Sequence, residues 1–127
     1  NGTRGYAGGQ LDIPLDVSNL FAAGDLYSTV EDLYKLAQAL DSGRLLPPDL
    51  AARMVTPGHG NYGLGWKIQQ HERGRLVFHD GWMSGAATWF GRYPDQGVTI
   101  IVLSNEYAAY GTVISIADYL AGQVLGS

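Results

Sequence analysis

Cysteine is absent from the chain, which removes disulfides, iron–sulfur clusters and thiolate zinc sites from consideration. A chain that can bury a core needs no such staples, so the compartment stays open. Basic charge is scarce: eight Lys and Arg against twelve Asp and Glu give a formal net charge of -4 and a pI near 5.1. The basic residues stand singly, and without a clustered positive face there is no electrostatic footprint for nucleic acid. No window approaches the roughly 18 apolar residues of a membrane span, and the N-terminus lacks the basic-then-apolar layout of a signal peptide. His-Glu-x-x-His is also missing, since His59, His71 and His79 lie twelve and eight residues apart, so no metal site is implied. No serine sits in G-x-S-x-G; Ser84 has Trp82 two before it and Ala86 two after it, and reads as a loop residue.

What is present is a chain of 127 residues, 46% of them apolar, enough to bury a core as one folded unit. Residues 1–24 are Gly-rich and aperiodic apart from the alternation Leu11-Asp12-Ile13-Pro14-Leu15-Asp16-Val17. Pro14 argues against a central strand there, so the segment reads as an extended arm. Asn1-Gly2-Thr3 matches a glycosylation sequon, a weak signal at three residues. The chain opens on Asn1 rather than Met, and an upstream piece of a longer precursor is expected.

Residues 25–56 read as helical. Ser28 and Glu31 form a capping box ahead of a helix whose apolar side carries Val30, Leu33, Tyr34, Ala37 and Leu40, stopped at Gly43. A short second helix follows over 45–54, with Pro48 in its first turn.

Residues 57–127 change period. Tyr62, Leu64, Trp66 and Ile68 alternate along one face of a strand; His71–Gly74 turns the chain into a second strand, making an antiparallel hairpin. That strand ends in Phe78-His79-Asp80-Gly81-Trp82-Met83-Ser84-Gly85, a titratable imidazole with two glycines, and the chain is organised around it. Ala86–Tyr93 is the next strand, Pro94–Gly97 a turn, and Val98–Ser104 an apolar run placed centrally in the sheet and covered on both faces. The last helix lays Val113, Ile116, Ala117, Leu120 and Val124 on the sheet. Gly58-His59-Gly60-Asn61-Tyr62-Gly63 satisfies G-x-G-x-x-G, but a strand follows it and no helix N-terminus waits for a phosphate, so it reads as a Gly-rich turn. Trp66 and Trp89 are core positions. Trp82, beside the His-x-Gly, is a candidate for the site.

Gly24-Asp25-Leu26-Tyr27-Ser28-Thr29 before a helix, Tyr62-Gly63-Leu64-Gly65-Trp66, His79-Asp80-Gly81 with Gly85 beyond, Tyr93-Pro94-Asp95 and Leu103-Ser104-Asn105 come in an order that resembles the C-terminal part of the penicillin-recognising serine hydrolases. That family holds class C β-lactamases, D-alanyl-D-alanine carboxypeptidases, D-aminopeptidases and related esterases. The resemblance implies an α+β fold: an antiparallel sheet of about four strands, a packed C-terminal helix and two helices from an adjoining helical region.

It also implies roles. His79 falls on the basic position of the K-T-G or H-T-G signature. The Trp82 backbone N–H becomes an oxyanion donor, and Asp80, Gly81 and Gly85 border the substrate. Asp80 replaces the usual Thr or Ser, and an ionised carboxylate there would repel a substrate carboxylate, which favours a neutral ester or amide over a β-lactam. Neighbours on a strand face opposite ways, so Asp80 need not touch His79.

The family's Ser-x-x-Lys and Tyr-x-Asn are missing: Asp32 and Leu64 stand three before Lys35 and Lys67, and Val17, His59 and Leu103 stand two before Asn19, Asn61 and Asn105. The expectation is a serine hydrolase whose nucleophile and base lie upstream, inactive as this chain alone, with no cofactor. Its partners are a small ester, amide or β-lactam, and either the N-terminal half or a second copy through residues 98–104. Family members are often exported to the cell envelope. The alternative is a non-catalytic binding module that keeps the groove without the chemistry.

Overall fold

The computed structural model describes residues 3–13, 16, 18 and 20–126. Asn1 and Gly2 of the sequon, and Pro14, Leu15 and Val17 of the alternating stretch, lie outside the described residues. The arm is more structured than an extended segment. Tyr6–Ala7 (β1) and Gln10–Leu11 (β2) pair as a small antiparallel hairpin. Its turn residues Gly8 and Gly9 have φ of +61° and +77°, a left-handed pair that glycine enters at no steric cost. The Tyr6 N–H donates to the Asn105 carbonyl at 2.8 Å and the Asn105 side-chain amide to the Arg4 carbonyl at 2.9 Å, which lays the arm against the end of the main sheet.

Helix α1 runs Val30–Asp41, and its cap is Thr29, whose hydroxyl oxygen accepts from the Asp32 N–H at 3.2 Å. The sequence holds two overlapping hydroxyl-x-x-carboxylate pairs, Ser28 with Glu31 and Thr29 with Asp32, and the fold uses the second. Ala37 and Leu40 are buried while Val30 and Tyr34 are half exposed, so only the second half of the expected stripe packs. Helix α2, Pro48–Met54, carries its proline in the first turn and buries none of its residues.

The main sheet holds Lys67–His71 (β3), Gly74–Met83 (β4), Ala86–Tyr93 (β5) and Val98–Ser104 (β6), antiparallel in the order β3-β4-β5-β6. Two expectations give way here. The first strand begins at Lys67 rather than Tyr62, because residues 62–67 form a tight loop: Tyr62 bridges Lys67, the Gly63 N–H donates to the Trp66 carbonyl at 2.7 Å, and Gly65 has φ +79°. Strand β6 is an edge strand, not a central one. Its double apolar pattern comes from two helices, with α1 on one face and the C-terminal helix on the other.

That helix, α3 (Tyr110–Leu125), buries Val113, Ala117 and Ala121. Ile116, Leu120 and Val124, expected inward, are 42%, 38% and 62% exposed. The sheet face beneath already carries the large side chains of Trp89 and Tyr93, so the helix presents its small residues to them.

The sheet therefore has two cores. On the α3 side Leu76, Trp89, Tyr93 and Ile100 pack with Val113, Ala117 and Ala121. On the other side Leu40 of α1 packs with Trp66, Ile68 and Val77, with Met54 and Phe90 against them. Arg92 is buried on this second side, paired with Asp41 at the end of α1 and stacked 5.7 Å over the Trp66 ring. Burial pulls its guanidinium below the usual arginine range.

Candidate active site

Strand β4 outruns its neighbour. Its last pair with β3 is Phe78 with Lys67, whereas its pairing with β5 continues to Met83. Among the described residues, His79–Met83 thus have a strand on one side only. Antiparallel pairs alternate between those that exchange main-chain bonds and those that do not. The hairpins close at His71 with Gly74 and at Met83 with Ala86, and a pair that closes a two-residue turn is of the bonded kind. Counting by two from each, Gly74, Leu76 and Phe78 aim their main-chain groups at β3, and Met83, Gly81 and His79 aim theirs at β5. The N–H and C=O of Asp80 and Trp82 are left facing the open side.

The side chains divide by the other alternation of the strand. His79 and Gly81 lie on the face shared with their cross-strand partners Phe90 and Thr88. His79 is exposed, and its Nε2 is 2.7 Å from the Tyr62 hydroxyl, the two rings meeting edge to face at 5.9 Å. Above Gly81 there is room: a Cβ added there would meet only Thr88 Oγ1, at 3.9 Å. The fold itself places no demand for glycine at this position.

Gly85 is the opposite case. It sits in the β4–β5 turn with φ +69°, buried, and a Cβ there would come within 2.5 Å of the Gly5 Cα. Its glycine is explained by the turn and by the arm crossing over it, and it is not presented to a ligand. Ser84 beside it ties down the same arm, donating to the Asp12 carboxylate at 2.7 Å. The Trp82 side chain is 56% exposed, with its indole N–H donating to the Tyr107 hydroxyl at 3.3 Å and its ring 4.8 Å from Tyr110.

Asp80 faces away from His79, towards α3. Its side chain is 7% exposed, paired with the Lys67 ammonium and accepting from the Tyr110 hydroxyl. Burial raises its pKa, but the hydrogen bonds from Lys67 and Tyr110 and the charge of Lys67 outweigh that and hold the carboxyl below its usual range. The bond to Asp80, then burial, pushes the Tyr110 hydroxyl up. The expectation that Asp80 meets and repels a substrate carboxylate is corrected by this geometry, because its charge is compensated on the far face of the sheet.

The Gly-rich stretch is a short 3-10 turn over His59–Asn61, and it leads to the residue that sequence reasoning assigned elsewhere. Tyr62, expected on the core face of a strand, stands 40% exposed against His79. The remaining histidines do not join the site: His71 Nδ1 accepts from the Arg73 N–H at 3.2 Å in the β3–β4 turn. Among the described residues no group of three or more His, Asp or Glu is placed to hold a metal ion.

The antiparallel sheet packed by a C-terminal helix has the fold of a penicillin-binding protein: the crystal structure of one from Bacillus halodurans superposes with a TM-score of 0.63 at 24% identity, over 72% of this chain and 30% of that one. The family model described as Beta-lactamase matches residues 1–123, and the chain belongs to that family. It is 33% identical over 90 residues, 65% of its length, to a penicillin-binding protein of Bacillus subtilis (strain 168). It is likewise 33% identical over 111 residues, 78% of its length, to a beta-lactamase-like protein of Homo sapiens. The chain spans only 20% and 22% of those two relatives.

Proposed function

We propose that the open side of β4 is one wall of a serine-hydrolase active site, with the chain acting as the C-terminal part of an enzyme that works through an acyl-enzyme. The observation that carries this reading is the run from His79 to Met83, unpaired on one side among the described residues, where the Trp82 N–H faces the open edge and can donate to a developing oxyanion. Beside it the bare backbone at Gly81 leaves the face next to His79 open to a substrate. His79 supplies the polar side chain on that face. The substrate we favour is a neutral ester or amide. A substrate without charge suits this face, where His79 is bonded to the Tyr62 hydroxyl and flanked across the strand by Phe90 and Thr88, whereas the charged pair Lys67–Asp80 lies on the other face.

The nucleophile and base belong, in this reading, to residues outside these 127. Loss of a nucleophile removes several orders of magnitude of rate, so the chain alone, incubated with a chromogenic ester and with nitrocefin, is expected to give no turnover. Turnover abolished by a serine-directed phosphonate would overturn the assignment. The edge of β6 fits the same picture. Residues 98–104 carry no charge and no proline, the features that normally guard an edge. We assign that edge to the rest of the enzyme or, in its absence, to a second copy. A monomer in sedimentation whose 98–104 amides resist hydrogen exchange would argue against it.

A further inference from the structure

Building on that reading, we infer that Tyr62 is the positioning residue that decides which nitrogen of His79 carries the proton, leaving Nδ1–H as the donor available to a substrate. The two groups lie 2.7 Å apart, and either can donate. Between neutral partners a phenol O–H is a stronger acid than an imidazole N–H, and the bare ring nitrogen is a stronger base than a phenol oxygen. The hydroxyl therefore donates to Nε2, and the ring proton resides on Nδ1.

Tyr62 is held firmly enough to impose this. Its carbonyl accepts from the Gly58 N–H at 3.0 Å and its N–H donates to the His59 carbonyl at 3.3 Å. It also bridges Lys67. The residue after it is locked onto α2: a Cβ at Gly63 would come within 2.3 Å of the Met54 carbonyl oxygen, and the Leu64 N–H donates to that same oxygen at 2.9 Å. A loop seated this closely fixes the phenol over an imidazole that, exposed on its strand, has no other side-chain hydrogen bond among the described residues.

The test is the ring-nitrogen spectrum of the nitrogen-15-labelled chain at neutral pH, wild type against Tyr62→Phe, with His59 and His71 as internal controls. The Phe ring keeps the edge contact, and an unchanged amide spectrum away from the site checks the fold. We expect the Nδ1–H form of His79 in the wild type and a shift to a mixture or to the Nε2–H form in Tyr62→Phe, with the controls unmoved. The Nε2–H form already in the wild type, or the same tautomer in both proteins, overturns the inference. In the enzyme completed by its remaining residues, Tyr62→Phe is expected to lower kcat by about threefold to tenfold, the worth of one hydrogen bond between neutral groups, with KM nearly unchanged. A switched tautomer with unchanged kcat would uphold the positioning by Tyr62 and overturn instead the part given to His79 in hydrolysis.

Discussion

His79 and Asp80 are consecutive residues on one strand, yet they stand in opposite surroundings. On the α3 face Asp80 is enclosed by Lys67 and Tyr110, and the Trp89 ring covers Gly91 so closely that a Cβ there would meet its Cη2 at 1.9 Å. On the His79 face the backbone at Gly81 is bare and the imidazole reaches solvent with one bond to Tyr62. The comparison separates glycines and charges that the fold requires from those it does not. Residues packed under α3 answer to stability, and on the other face His79 and Gly81, beyond the core that Val77 and Phe90 form with α1, are free to answer to a ligand.

That contrast can be broken most directly at its two glycines. Gly91→Ala drives a methyl into a buried indole and is expected to cost about 3 kcal/mol, the upper range for overpacking a core, read as a lowered midpoint in urea denaturation. On the same face, Lys67→Met leaves the buried Asp80 carboxylate with Tyr110 as its remaining side-chain partner and should cost about 2 kcal/mol by the same measurement. The value is held below that of a fully buried pair because the Lys67 side chain is 43% exposed.

Acid should dismantle the same interaction. The folded carboxyl of Asp80 lies below its unfolded value, so its contribution is complete above about pH 4, the unfolded carboxylate pKa, and is lost as the pH falls through the lower folded value. Urea midpoints from pH 6 down to pH 2 should therefore fall more steeply for the wild type than for Asp80→Asn. Equal slopes would show that Asp80 is not the group held.

The smallest effect on stability, and the most informative one, is expected at Gly81→Ala. The added methyl has space, and alanine is better than glycine inside a strand by roughly 0.5 kcal/mol, so the midpoint should stay or rise slightly. In the hydrolase proposed above the same change should reduce kcat/KM by about tenfold or more, since a Cβ would project into the space beside His79 that the substrate is proposed to occupy. A variant that is neither less stable nor less active would remove the argument from the bare backbone.

Much of this was legible along the chain, for local reasons. The turns at Glu72-Arg73 and Pro94–Gly97, the bounds of β5 and β6, the helix stops and the core placement of Trp66 and Trp89 follow from side-chain alternation and turn chemistry, which act over a few residues. The departures have tertiary causes. Tyr62 alternates correctly with Trp66 and Ile68, but the close seat of Gly63 on Met54 bends the loop out of the sheet and carries the tyrosine to His79. Ile116 and Leu120 fit a helical stripe, but the bulk of Trp89 and Tyr93 admits only Val113, Ala117 and Ala121. Strand β6 is apolar on both sides whether it is central or, as here, an edge strand between two helices.

By itself the sequence determined the three helices and the hairpin-linked strands of the main sheet in their order, and it placed His79 and Asp80 on opposite sides of one strand, because the pleat turns each side chain away from the next. Only the tertiary structure decided which side is open. That depends on where β3 stops alongside β4 and on which helix covers which face. Both are long-range matters of packing, which no window of neighbouring residues contains.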